Sequence, residues 1–241
     1  MSRKLTAEDF IEASTNDAQK VTFYGFAVMI ATALAFALLS ALAIAKGLMD
    51  GGNRVDYLVR IPFWCVSALA VGMVYMKLHT YGKFITHTIT VFDVLIPLSK
   101  ALTASALFAV LCYDDPRTWH LWPLAFSMFA LVSHLKIHYY HSKFDETNAP
   151  LETAELLRMI NENMRETDLR ATAIFGLLFL VAWVLLNFVP PLKFMAHWSS
   201  NWQVWLAIPA GFAMVMAIQS DVEIRRKIAQ LTEAKGDNIP T

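Results

Sequence analysis

Residues 21–45 read VTFYGFAVMIATALAFALLSALAIA, with no Asp, Glu, Lys or Arg anywhere in the run. A helix needs about 20 apolar residues to cross the hydrocarbon of a bilayer, and inside it every backbone N–H and C=O must be paired within the segment. This run predicts such a helix. It is too long for the core of a cleaved signal peptide, so the helix is expected to be retained. Five further stretches approach the same length: 61–80, 84–113, 119–141, 171–192 and 202–220. The expected fold is all-α, a single polytopic transmembrane bundle of about six spanning helices built from residues 1–241.

Composition supports a lipid bilayer as the main partner. The chain is 56% hydrophobic and only 17% charged, far from the balance of a soluble domain. Lys plus Arg and Asp plus Glu both number 20, with no extended basic block, so no phosphate-neutralising surface for nucleic acid is expected. The cysteines, Cys65 and Cys112, are too few for a disulfide scaffold or a Cys-x-x-Cys metal site. They fall near one end of neighbouring helices, where a disulfide would fit, but two buried free thiols are favoured.

Basic residues set the orientation. With the N-terminus inside, fourteen Lys and Arg fall on the inner side, against Lys46, Arg54, Arg60, Arg117 and Lys193 outside. That asymmetry predicts both termini in the cytoplasm and a plasma (inner) membrane location. After Pro150, residues 150–166 alternate apolar and charged positions at helical spacing, an amphipathic helix, and Thr167 with Asp168 are expected to cap the helix that follows. The tail from 221 continues the sixth helix. Segments 150–166 and 221–241 read as solvated or peripheral, with docking of a cytoplasmic partner as the alternative. Ala33, Ala37, Ala41 and Ala45 repeat every four residues and would let a second backbone approach closely. Packing within the chain is favoured there over a homo-oligomer contact.

Ionisable residues at membrane depth are costly and need a partner or a cavity. Thr86, Thr90, Asp93, Pro97 and Lys100 form one stripe on the third helix, expected to face the bundle interior. Asp93 and Lys100 are two turns apart, about 10 Å along the axis. On the fourth helix His134, His138 and His141 share a narrow arc. Folding these helices back on each other brings residues whose numbers total about 231 to one depth, so Asp93 is expected near the level of His138, a turn from His134. His79 and His87 fall at the same end.

Several readings fit. Asp93, Lys100, His134, His138 and Thr90 could line a proton relay or an ion or solute pathway. His134, His138, His141 and Asp93 could hold a metal ion, or His79 or His87 could face His134 or His138 across a haem. The plainest alternative is a set of interfacial histidines and Lys136 contacting lipid headgroups. No Walker motif, Gly-x-Ser-x-Gly or dinucleotide-binding glycines occur, so whether any reaction is catalysed stays open. The leading expectation is a channel or transporter, with a metal- or haem-binding oxidoreductase and a noncatalytic membrane subunit as alternatives.

Overall fold

The computed structural model describes residues 7–50, 54–81, 90–112, 121–143, 158, 162, 164–188 and 204–236. Among them the chain is helical and contains no strand: α1 (Ala7–Met49), α2 (Arg54–Tyr81), α3 (Phe92–Ala109), α4 (Leu121–Lys143), a π-helical turn (Met164–Leu169) that runs directly into α5 (Arg170–Phe188), and α6 (Val204–Gly236). Five of these helices are long and apolar enough to cross a membrane. The exception, α4, is long enough at 23 residues, but His134, Lys136, His138 and His141 lower the apolar content of its second half. The protein is a multi-pass helix bundle of the kind an integral membrane protein presents.

Neighbour relations close a ring. α1 packs on α2 and α3, α3 on α4, α4 on α5, α2 on α6, and α6 completes the circuit against α5 and the π-turn. The lower end of the bundle is the one where α2 finishes and α3 begins. Large apolar side chains such as Leu34, Leu38, Leu42, Leu98, Leu102, Leu177 and Phe212 point outward, as a lipid-facing surface requires. Towards the upper end the ring is filled by aromatic side chains from three helices. Trp122 lies 4.6 Å from Phe63 and 5.1 Å from Phe126, ring centre to ring centre, and Phe126 lies 4.6 Å from Phe179. The Trp122 indole N–H donates to Ser67 Oγ at 3.1 Å. The polar edge of the buried indole is thereby satisfied.

Seam spacing explains how α1 sits. Its buried residues include Phe26, Met29, Ala33, Ala37, Ser40 and Ile44, in steps of three or four that hold one face towards the neighbouring helices. The four-residue alanine repeat departs from it. At 100° per residue each four-residue step drifts about 40°, so Ala33 and Ala37 are buried, Ala41 is half-buried and Ala45 is exposed. Packing within the chain accounts for the first two. Beside them, the Trp64 indole donates to the Ala37 carbonyl at 3.0 Å, and Gly25 meets α3 so closely that a Cβ there would stand 2.8 Å from Pro97 Cβ. Gly25→Ala is therefore expected to cost about 1–3 kcal/mol, because the proline ring cannot rotate aside. A thermal unfolding midpoint in detergent equal to wild type would show that α1 and α3 can separate.

Three sequence expectations change. Arg60, counted as an outer-loop residue, lies within α2 and is 1% exposed. Its Nη1 donates to the Leu111 carbonyl at 3.1 Å, and its guanidinium lies 4.6 Å over the Tyr57 ring. Arg60 thus supplies a donor to the turn that follows α3, whose carbonyls have no helical N–H to accept from. Asp168, expected to cap α5, is instead held within the continuous π-to-α run and is 3% exposed. The sixth helix does continue to Gly236, but Asp221 is not solvated: it is 1% exposed and accepts from Arg225 Nε at 2.7 Å, while Arg225 Nη2 donates to the Met76 carbonyl at 2.7 Å. Most of the amphipathic segment 150–166 lies outside the described residues. Cys65 and Cys112 are free thiols, but not the buried ones expected: Cys65 lies on the outward face of α2 and is exposed, and Cys112 is half-buried, so mobility on nonreducing and reducing gels is expected to be identical.

Candidate functional site

The polar stripe of α3 begins at its first turn. Thr90 and Asp93 stand at the spacing of a capping box: Asp93 Oδ2 accepts the Thr90 N–H at 2.8 Å and the Thr90 hydroxyl at 3.0 Å. A carboxylate at this position also meets the positive end of the helix dipole. Asp93 is fully buried, but because α3 starts at Phe92 it stands at a helix terminus, not several turns inside a span that begins at 84. The Tyr139 hydroxyl of α4 bonds Thr90 Oγ1, and the Phe92 and Tyr139 rings lie 5.4 Å apart.

Two turns further along α3, Lys100 is also fully buried. Its ammonium donates to the Phe129 carbonyl at 2.7 Å and to Ser133 Oγ, and lies over the Phe129 ring. No carboxylate among the described residues pairs with it. Between Asp93 and Lys100 stands Pro97, which has no N–H to give the Asp93 carbonyl.

These contacts test the antiparallel register. Thr90 meets Tyr139, and Lys100 meets Phe129 and Ser133; every pair lies within two of the expected total of 231, so depth follows the sequence arithmetic. Azimuth does not. The inward seam of α4 is Trp122, Phe126, Phe129, Ser133 and Lys136, in steps of four and three, whereas His134 and His138 are rotated from it by 100° or more. His138 is exposed. His134 turns to α5, where Nδ1–H donates to the Leu169 carbonyl at 3.0 Å, beside Thr172 Oγ1 at 3.4 Å. Of the sequence-derived pathway residues, the structure brings Thr90, Asp93 and Lys100 onto the α3–α4 contact and leaves His134 and His138 off it. Among the described residues no three His, Cys, Asp or Glu side chains come together as metal ligands. The side chains of His79, His87 and His141 lie outside the described residues.

The lower end contains ionic groups that the spans and loops of the sequence did not reveal. Lys77 of α2 forms a buried ion pair with Asp168 of the π-turn. π-Turns in helices recur at functional sites, and the wider turn changes which side chains face inward. Lys136, read as a headgroup contact, instead points over the ring of Phe26 at 4.4 Å, and Phe26 has no exposed surface. A signal for these residues does exist in the chain. Asp168, Thr172, Gly176 and Phe179 share one face of α5, and Lys136 continues the α4 seam, so extending each apolar seam past its last apolar member would have found both.

Comparison with protein-family models, curated proteins and solved structures finds no match. The reading of the site therefore rests on its own chemistry.

Proposed function

We propose that this protein moves a small ion or solute across a membrane along a polar route on α3 and α4 that opens at the lower end of the bundle. The observation that carries the reading is Lys100, an ammonium group sealed inside a membrane-type bundle with a hydroxyl and a carbonyl as its polar partners and no carboxylate among the described residues. Such a group is costly to insert, and in membrane proteins it marks pathways and relays more often than scaffolding. Its position between the aromatic plug above and the Asp93–Thr90–Tyr139 cluster below supports a route closed at its upper end. We place the lower end in the cytoplasm, on the excess of Lys and Arg there, and the protein in a plasma membrane. The metal and haem readings draw less support, because His134 is engaged with α5 and His138 faces outward.

Purified protein in liposomes tests the proposal. Flux of protons, potassium or chloride above that of empty vesicles is expected, and Asp93→Asn is expected to lower it at least tenfold. Full flux in a well-folded Asp93→Asn protein would reduce Asp93 to a helix cap, and absence of flux for all three ions would remove the transport reading.

A further inference from the structure

We infer that the species carried is a small inorganic anion, held between the ammonium groups of Lys100 and Lys136 in the lower half of the bundle. The inference rests on the transport reading and names its substrate class.

Both lysines face the same interior. Lys100 reaches from α3 to Ser133 of α4, and Lys136 stands one turn from Ser133 on the same face of α4. Lys136 is directed over the buried Phe26 ring of α1, and no hydrogen bond or ion pair joins it to another described residue. Lys136 lies within electrostatic range of Lys100, and also of Lys77 and Asp168. At this end Asp168 pairs with Lys77 and Asp221 with Arg225, whereas Asp93 accepts from the neutral Thr90 at the start of α3, two turns from Lys100. Lys100, fully buried, and Lys136, half-buried, stand as like charges at the α3–α4 contact, an arrangement that an anion relieves and a cation worsens.

Donor counting gives the size class. An ammonium has three N–H groups. Lys100 directs two at Phe129 and Ser133, leaving one, whereas Lys136 directs none at a protein acceptor among the described residues. A halide or nitrate needs only a few such donors and little room. The Phe26 and Phe129 rings beside the two ammonium groups would bound the site with apolar walls.

The full-length protein in detergent tests this by thermal unfolding in sodium chloride, sodium nitrate and sodium gluconate at equal ionic strength. A saturable rise in midpoint with chloride or nitrate over gluconate is expected, and Lys136→Met should raise the half-saturating concentration at least tenfold. Lys136 makes no hydrogen bond among the described residues that folding would lose, so this variant is expected to fold; Lys100→Gln is the second. Equal midpoints in the three salts, as neutral lysines would give, overturn the inference, as does an anion effect undiminished in both variants. Anion stabilisation without chloride flux in liposomes would uphold the site and overturn the transport reading. Proton or potassium flux without anion stabilisation would do the reverse.

Discussion

Asp168→Ala is expected to destabilise the protein by about 3–5 kcal/mol, the largest stability effect of any single substitution at the lower end, because it strands the Lys77 ammonium without its counterion. Side-chain exposure of the pair is 11% for Lys77 and 3% for Asp168, so water cannot take over from the lost carboxylate, and Lys136 nearby adds repulsion. The double substitution Lys77→Met with Asp168→Leu should recover most of the loss, since paired removal of buried ions is often neutral. Unfolding of the purified variants in a denaturing detergent measures both. A single variant within about 1 kcal/mol of wild type would mean that the pair is hydrated and contributes as little as a surface ion pair.

Lys100→Met should show the opposite pattern, with flux falling to the level of empty vesicles while stability stays within about 1 kcal/mol of wild type or rises. Removing the ammonium leaves no orphan behind, because the Ser133 hydroxyl already donates to the Phe129 carbonyl at 2.8 Å and the methionine fills a similar volume. The split separates a pathway group from a structural one. Retained flux with retained folded yield would make Lys100 an expensive relic of packing, and lost fold would make it a helix–helix tether. Reconstituted flux and the detergent unfolding midpoint, measured on one preparation, distinguish the three.

Helix number and order, and the relative depth of α3 and α4, were legible in the sequence because the hydrocarbon imposes a length on each apolar run and a short connection imposes a register. Rotation about each helix axis was not. Three histidines at regular spacing drew the eye to one arc of α4, but the face turned inward is defined by Trp122, Phe126, Phe129 and Ser133, and Lys136 extends it. One residue of offset turns a side chain by 100°, enough to take His138 from the α3 contact to the outside. Loop and cap readings failed for a related reason. Arg60, Asp168 and Asp221 flank apolar runs and look solvated by position, yet each is buried, the first on the end of α3 and the others beside cations from α2 or α6. The long-range partners of Arg60 and Asp168 leave no trace in local composition, and the i, i+4 partner Arg225 does not by itself reveal that Asp221 is buried. The Thr90–Asp93 spacing did carry a capping signal, which would have placed the start of α3 close to where it lies.

The contact of Gly25 with Pro97 has a mechanical meaning. It leaves less room than one methyl group needs, so α1 and α3 cannot slide closer and are expected to travel as one slab, with Asp93 and Lys100 mounted on its inner surface. On the proposed transport reading, any widening that admits a passenger falls to the opposite panel, where a serine hydroxyl, a tyrosine hydroxyl and a single carbonyl of α4 are the catches to be undone. α4 would be the door, and α1 with α3 the frame it swings against.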